Sequence, residues 1–286
     1  MKKSTLLHLR IPFSFFLLPV FLFAVAISNA TDISTLFLTF FILHILLYPA
    51  SNGYNSYFDR DEKSIGGLEN PPPVSKELYW ASLVFDFLAL LLGFLISWEF
   101  VLMIFIYGLI SKAYSHPAIR LKAKPFIGWL AAGIFQGYFT YLLSYIALVG
   151  ISISDTLTWQ IQAPGILSSA LLLGSYPMTQ IYQHEEDATR GDLTISRVLG
   201  ILGTFHFTAV AFSVSMGGFV YYFTSFYDLT TALVFAIVLS PILIFFITWY
   251  LRVRKNRGAA DFKSTMRLNF LSAFFLNAFF IWLWIS

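Results

Sequence analysis

The sequence predicts an all-α, polytopic membrane protein with nine transmembrane helices. Hydrophobic residues make up 58% of the 286 residues, charged residues make up only 12%, and the mean hydropathy is +0.74. A soluble domain of this size has no interior large enough to bury so many apolar side chains. The apolar runs are also long enough to cross a bilayer, which takes about 17 to 25 residues as a helix.

The nine apolar runs divide the chain without leaving room for a second domain. We therefore expect a single transmembrane domain over residues 1–286. The third and fourth runs are the hardest to separate, because only Trp98 and Glu99 interrupt them. The predicted spans are residues 11–28, 34–54, 79–98, 100–115, 127–149, 165–182, 198–222, 231–251 and 268–285.

The distribution of positive charge predicts the orientation of these spans. All 18 Lys and Arg residues lie in the amino-terminal segment or in the loops after spans two, four, six and eight, when Lys112 at the end of span four is counted with the loop that follows it. Cytoplasmic loops collect Lys and Arg, so the amino terminus is expected in the cytoplasm and the carboxyl terminus outside. A bacterial inner membrane is the expected location, with the lipid bilayer as partner. The absence of cysteine excludes disulfides and thiolate metal sites.

An acidic stretch at the end of span two is the first candidate for a functional site. It runs N-G-Y-N-S-Y-F-D-R-D-E-K from Asn52 to Lys63. If the helix continues past Tyr54, Asn55 and Asp59 lie on one face, four residues apart. Asp61 would be turned away from that face and could share the site only if the helix has ended before it.

A second acidic stretch follows span six, on the same predicted side of the membrane. It runs Q-H-E-E-D-A-T-R-G-D-L-T from Gln183 to Thr194, and Gln183 and Asp187 are again four residues apart. Side-chain oxygens of Asn and Asp suit a hard cation such as Mg²⁺, which takes one or two carboxylates and fills its other positions with water and substrate phosphate. The alternative is that both stretches are solvated loops.

Basic residues near these stretches are candidates for binding phosphate oxygens, Arg as a fork and Lys as a point charge. The same cations also serve the charge asymmetry of the loops, and this alternative stays open. They are Lys63, Lys112, Arg120, Lys122 and Arg190. Asp86 lies in the middle of span three, where an ionisable group is costly and therefore a functional candidate. Together with Tyr114 and Tyr182, it is assigned to a substrate cavity.

Four sequence features resemble the UbiA superfamily of intramembrane prenyltransferases. Two are Asn55-x-x-x-Asp59 and Asp187-x-x-x-Gly191-x-x-Thr194, and two are the stretches Leu9 to Pro12 and Tyr114 to Lys122. The resemblance covers nearly the whole chain. It implies a helical barrel around a cavity open to the cytoplasm, in which Mg²⁺ ions hold an isoprenoid diphosphate. It also implies transfer of the polyprenyl group to an aromatic or other lipophilic acceptor, through an allylic cation.

The sequence departs from the family motifs at two ligand positions, where Lys63 and Gln183 replace Asp. Three explanations stay open: neighbouring acids supply the missing ligands, the site holds fewer metal ions, or Lys63 contacts the phosphate directly. The neighbouring acids are Asp61, Glu62, Glu185 and Glu186.

We expect an Mg²⁺-dependent prenyltransferase with Asn55, Asp59 and Asp187 in the reaction centre. One alternative is a terpene cyclase of the same superfamily, in which the cation is captured within its own chain. The other is a transporter or non-catalytic lipid-binding protein that retains the fold. Neither a nucleic acid nor a protein partner is implied.

Overall fold

The computed structural model describes all 286 residues and is helical throughout, with no β-strand beyond one isolated bridge between Ile65 and Leu68. The α-helices are α1 (Lys3–Leu9), α2 (Leu18–Ser28), α3 (Ile33–Phe40), α4 (Tyr48–Asp59), α5 (Lys76–Gly93), α6 (Trp98–Ser115), α7 (Pro125–Ile134), α8 (Thr140–Val149), α9 (Trp159–Gln180), α10 (His184–Arg190), α11 (Ile195–Phe226), α12 (Leu229–Lys255) and α13 (Phe262–Ile285).

Several of these helices join into longer segments through short irregular turns. A π-helical turn, Phe41–Leu47, links α3 to α4, and another, Phe135–Phe139, links α7 to α8. The first segment is bent instead: α1 and a 3₁₀ turn, Ile11–Phe16, meet α2 at 46°. Arg10, which separates α1 from the 3₁₀ turn, adopts the left-handed conformation with φ of 48°.

The loops that carry Lys and Arg meet at one end of the bundle, here called the basic end. Lys263 after α12 lies 3.4 Å from Glu69 in the α4–α5 loop. The main-chain nitrogen of Lys2 donates to Glu77 at the start of α5, at 2.9 Å. Arg120, which follows α6, lies 3.6 Å from Asp59 at the end of α4.

The remaining loops meet at the opposite end. Ser152, which follows α8, lies 3.3 Å from Glu99 at the start of α6. Trp284 near the carboxyl terminus donates from its indole nitrogen to the carbonyl of Ala30, at 3.2 Å. The segments therefore alternate in direction, as the distribution of positive charge predicts.

Six of the helical segments are long and apolar enough to cross a membrane, and a seventh qualifies if the bent pair at the amino terminus counts as one span. These segments make the chain a multi-pass helical membrane protein. Helices α5 and α9, with 18 and 22 residues, are long enough to cross but more polar. The count of nine spans therefore remains a prediction. Predicted boundaries were several residues late for both, since α5 begins at Lys76 and α9 at Trp159.

Aromatic side chains fill much of the space between the helices. Phe23 on α2 stacks on Phe280 of α13 with ring centroids 4.4 Å apart. Glycines allow the closest approach, because a Cβ at Gly137 would lie 2.5 Å from the main chain of Ser169 on α9. This contact packs the π-helical turn tightly against α9 and fixes one wall of an internal cavity.

Candidate functional site

A polar cavity of about 240 Å³ opens at the basic end of the bundle. Helices α4, α6, α7, α9, α10 and α13 all contribute to its wall. Most of the site residues expected from the sequence line it. They are Asn55, Asp59, Asp61, Tyr114, Lys122, Tyr182, Gln183, Asp187 and Arg190.

The first acidic stretch has the geometry that its spacing predicts. Helix α4 continues to Asp59, and the Lys122 ammonium both pairs with the Asp59 carboxylate and donates to the Asn55 side-chain oxygen, at 3.3 Å. Arg60 then ends the helix in the left-handed conformation, with φ of 50°. Because the helix has ended, Asp61 lines the same cavity as Asp59. The sequence predicted that Asp61 could share the site only if the helix ended before it.

The second acidic stretch is not the end of span six, as expected, but a separate short helix. Helix α9 ends at Gln180, and α10 begins at His184. Asp187 keeps the four-residue relation through its main chain, because its N–H donates to the Gln183 carbonyl at 2.9 Å. The Gln183 side chain donates to the Ser64 carbonyl at 3.3 Å, so its nitrogen is engaged by the α4–α5 loop.

Protein cations neutralise the carboxylates of the cavity. Lys122 pairs with Asp59, and Arg190 pairs with Asp61. A second nitrogen of Arg190 lies 3.6 Å from Asp187. The two acidic stretches are therefore joined by charge, since Arg190 bridges Asp61 of the first stretch and Asp187 of the second.

Asp192 is a member of this cluster that the sequence did not predict. Its carboxylate accepts two hydrogen bonds from Arg120, at 2.8 and 2.7 Å, and lines the cavity. This bidentate contact raises the pKa of the Arg120 guanidinium. Asp192 falls outside the four-residue spacing that marked the other ligand candidates, so no signal in the sequence singled it out.

Burial favours the protonated form of the Asp187 carboxyl. It raises the pKa of this carboxyl from 3.8 to about 6, even though the nearby Arg190 guanidinium acts in the opposite direction. The Thr194 hydroxyl donates to the other carboxylate oxygen, at 3.3 Å. Asp187 therefore holds its proton to a higher pH than a solvated carboxyl does.

Arg10 is a second contributor that the sequence analysis left without a role in the site. Its guanidinium is buried at the cavity wall and donates to the carbonyls of Gly66 and Asn52, at 3.0 and 3.4 Å. No carboxylate lies within ion-pair distance of it, and its Nε has no partner. Arg10 thus adds uncompensated positive charge to the wall.

Five predicted site residues do not line the cavity: Lys63, Lys112, Asp86, Glu186 and Arg120. Lys63 pairs with Glu185 at 3.0 Å on the surface, where their side chains are 65% and 88% exposed. Its predicted contact with phosphate is not supported by this position. Lys112 and Asp86 form an ion pair between α6 and α5, behind the cavity wall. This pair corrects the assignment of Lys112 to diphosphate and of Asp86 to a substrate cavity.

Glu186 and Arg120 also lie away from the cavity lining. Glu186 accepts from the Glu62 main-chain nitrogen at 3.2 Å, which ties the two acidic loops together. Arg120 reaches the site only through Asp59 and Asp192.

The donor set suits Mg²⁺ in its chemistry. The side chains of Asn55, Asp59, Asp61, Asp187 and Asp192 all present oxygen to one cavity, and oxygen is the ligand that Mg²⁺ prefers. No three carboxylate or imidazole groups lie close enough to form a ready-made metal site. Lys122 and Arg190 neutralise the carboxylates that they contact.

An apolar cavity of about 550 Å³ continues inward from the polar one, and 23 of its 34 lining residues are hydrophobic. Eight residues line both cavities and mark the junction between them: Phe13, Ser51, Asn52, Tyr107, Gln136, Tyr176, Thr179 and Asn269. The combined space has a charged mouth and a lipophilic interior, which suits an amphiphile with an anionic head.

The fold and the site define a polytopic helical membrane protein with an acidic cavity that opens into an apolar one. The sequence profile of the UbiA prenyltransferase family matches residues 16–277, so the chain belongs to this family. A comparison with curated protein sequences found no match.

Solved structures with the same fold agree with this assignment. An apo UbiA homologue from Aeropyrum pernix K1 is 18% identical, with a TM-score of 0.73 over 95% of this chain and 98% of that one. A UbiA homologue from Archaeoglobus fulgidus bound to GPP and Mg²⁺ is also 18% identical, with a TM-score of 0.66 over 99% and 100% of the two chains. A digeranylgeranylglyceryl phosphate synthase structure matches at 18% identity and a TM-score of 0.65, over 99% of each chain.

Proposed function

We propose that this protein is an intramembrane prenyltransferase that moves a polyprenyl group from an isoprenoid diphosphate to an aromatic or other lipophilic acceptor. The observation that carries the proposal is the continuity of the two cavities, the polar one lined by carboxylates, Lys122 and Arg190, and the other by apolar side chains. The A. fulgidus homologue binds GPP and Mg²⁺ in a related fold, which supports an isoprenoid diphosphate as substrate.

The proposed role of the basic residues is to hold the diphosphate. Lys122 and Arg190 line the cavity and offer charge-assisted hydrogen bonds to phosphate oxygens. Arg10 has no carboxylate partner to give up and adds positive charge at the same wall. As the bond between C1 of the prenyl group and the diphosphate breaks, these cations stabilise the charge that builds on the leaving group.

The proposed role of the oxygen ligands is to bind Mg²⁺. Asn55, Asp59 and Asp187 would hold it, and Asp61 and Asp192 lie in reach of the same cavity. Glu186 and Gln183 contribute less directly, since their side chains engage loop main chain. When bound, Mg²⁺ would neutralise charge on the diphosphate and make it a better leaving group.

The apolar cavity would receive the polyprenyl tail. Aromatic side chains such as Tyr107 and Tyr176 lie at the junction where C1 would be, and their ring faces attract a carbocation. Tyr114 supports this wall through the hydrogen bond between its hydroxyl and that of Tyr176.

The proposed topology has nine crossings, with the amino terminus in the cytoplasm and the carboxyl terminus outside. A rise of 1.5 Å per residue gives α5 and α9 lengths of about 27 and 33 Å, enough to span the hydrocarbon core of a bilayer. A reporter fused after Ser286 should then be outside, and one inserted at Gly258 inside. A cytoplasmic carboxyl terminus would contradict the nine-crossing arrangement.

Product analysis tests the proposed reaction. Purified protein would be incubated with Mg²⁺ and isoprenoid diphosphates of increasing chain length, with and without a lipid extract as the source of acceptors. A transferase gives prenylated product only with the extract. A hydrocarbon or alcohol formed equally without the extract indicates cyclisation or hydrolysis, and no turnover of any diphosphate indicates a non-catalytic protein.

A further inference from the structure

Three side-chain amides converge on the junction between the two cavities. Asn52 comes from α4, Gln136 from the π-helical turn after α7, and Asn269 from α13. None of the three amide groups hydrogen-bonds to another residue. The hydrogen bond that Asn52 accepts from Arg10 ends on the main-chain oxygen of Asn52. The Ser51 hydroxyl beside them is buried and also without a partner.

The three amides are half-buried and make no hydrogen bond within the protein, so they are free to bind a ligand or water in the cavity. The buried Ser51 hydroxyl points the same way, because nearly all buried polar groups in proteins are hydrogen-bonded. A binding site is typically apolar with a few polar groups that fix the orientation of the ligand. The junction has this composition, since its other members include Phe13, Tyr107 and Tyr176.

The position of the junction along α4 corresponds to the expected position of the reacting carbon, C1 of the prenyl group. Asn52 precedes Asp59 by seven residues on the same face of α4, which corresponds to about 10 Å along the helix. With the diphosphate near Asp59 and the tail in the apolar cavity, C1 of the prenyl group lies between them. An acceptor must reach this level to be prenylated.

The junction is also uncharged. None of its eight residues is acidic, basic or histidine. The nearest free cation, Arg10, directs its terminal nitrogens to the carbonyls of Gly66 and Asn52. An ionised carboxylate placed here would lose its hydration, and the terminal nitrogens of Arg10 are already engaged by two carbonyls, so its binding is unfavourable. A hydroxyl or carbonyl would instead find amide partners of matching polarity.

We propose that Asn52, Gln136 and Asn269 bind the head of an uncharged acceptor, with a phenol-like hydroxyl or carbonyl, and disfavour carboxylate acceptors. The inference rests on the proposed transfer function. The C1–O bond breaks with its electron pair going to the diphosphate, and an electron pair of the acceptor forms the new bond to C1. The acceptor proton then passes to a diphosphate oxygen, because the junction supplies no base.

A pair of photoreactive probes tests this inference: an alkylphenol and the corresponding alkylbenzoate, each with the same diazirine in its chain. Near pH 7.5 the phenol is neutral and the benzoate ionised. Wild-type protein would be labelled in the presence of Mg²⁺ and inorganic diphosphate, and the labelled peptides mapped by mass spectrometry. We expect the phenol to label peptides that contain Asn52 or Gln136, at least about tenfold more strongly than the benzoate, and to be displaced by unlabelled phenol.

Variants identify the groups responsible. Asn52→Leu and Gln136→Leu should each reduce phenol labelling about tenfold, which corresponds to the loss of a buried hydrogen bond and its desolvation cost. Asn277→Leu is the matched control, because this amide is buried and unpartnered but lines neither cavity. Labelling by the benzoate equal to that by the phenol, an absence of labelling by both, or no difference between the junction variants and the control would overturn the inference.

A separate measurement distinguishes this failure from failure of the proposed function. Stabilisation of each protein by Mg²⁺ with inorganic diphosphate, followed as a shift in melting temperature, reports on the polar cavity alone and verifies that the variants fold. The wild-type comparison of the two probes needs no variant, so it decides the selectivity even if a variant does not fold.

Discussion

Lys122 forms an ion pair with Asp59, one of the carboxylates that the sequence assigns to a metal. The same ammonium donates to Asn55, so one protein cation occupies both oxygen groups at the end of α4. A metal ion at these oxygens would compete with Lys122 for them, and a diphosphate would offer the ammonium another partner. Under the proposed function, the binding of metal and the binding of diphosphate would therefore be coupled through Lys122.

The first prediction follows from this coupling. Lys122→Ala should increase the affinity for Mg²⁺ alone, because Asp59 loses its competing cation, and should weaken diphosphate binding by about tenfold to a hundredfold, the value of a charge-assisted hydrogen bond. Titration calorimetry with Mg²⁺ and inorganic diphosphate, separately and together, measures both effects. Lys124→Ala is the matched control, because Lys124 lies in the same loop, is exposed and has no ion pair. Equal effects of the two substitutions would refute the coupling.

The second prediction separates two cations that the sequence could not distinguish. Lys63→Ala should leave diphosphate affinity within about twofold, because Lys63 forms an exposed pair with Glu185 and such pairs contribute little. Arg190→Ala should reduce the affinity by at least about tenfold, since Arg190 lines the cavity. Binding of inorganic diphosphate with saturating Mg²⁺ gives both values. A large loss of diphosphate affinity in Lys63→Ala would contradict this prediction and support a contact between Lys63 and phosphate.

The third prediction concerns pH. Burial raises the pKa of the Asp187 carboxyl to about 6 in the metal-free protein, so protons compete with Mg²⁺ for it below that pH. Affinity for Mg²⁺ should be level above about pH 7 and should fall by up to about tenfold for each unit below pH 6. Calorimetric titrations between pH 5 and pH 8 test this dependence. In Asp187→Asn the affinity should be lower and this component of the pH dependence absent, and an unchanged profile would contradict the assignment.

The fourth prediction concerns stability. Lys112 pairs with Asp86 between two helices, where their side chains are only 19% and 16% exposed, and also lies 5.2 Å from the ring of Tyr54. Removing one partner by Asp86→Ala should cost about 3–5 kcal/mol, because it leaves a poorly solvated charge. The double substitution Asp86→Leu with Lys112→Met should recover most of this loss. Melting curves in detergent measure the stability of each variant. A double variant no more stable than Asp86→Ala would contradict the explanation that the unpaired Lys112 charge causes the loss.

The sequence predicted a helical membrane protein, and nine of its candidate site residues line the cavity, because both depend on local patterns. Apolar runs predict where the helices lie, and the asymmetry of Lys and Arg predicts which of their ends lie on the same side. The four-residue spacing predicts that Asn55 and Asp59 share one face of a helix. The sequence did not reveal that Lys63 lies outside the cavity, because a single left-handed residue, Arg60, redirects the chain after the helix. It missed Asp192 because the partner of this residue, Arg120, is distant in sequence and meets it only after folding.

Release of diphosphate from an isoprenoid diphosphate by the purified protein is the most direct test of the account. Wild-type protein, Asp59→Asn and Asp187→Asn would be compared with and without Mg²⁺, at equal amounts of folded protein in detergent. We expect release by the wild type that requires Mg²⁺, and a loss of at least about a hundredfold in either variant, because each carboxylate is assigned to the metal that stabilises the leaving group. Release that is independent of Mg²⁺, or equal in the wild type and both variants, would contradict the assignment of this cavity as the reaction centre.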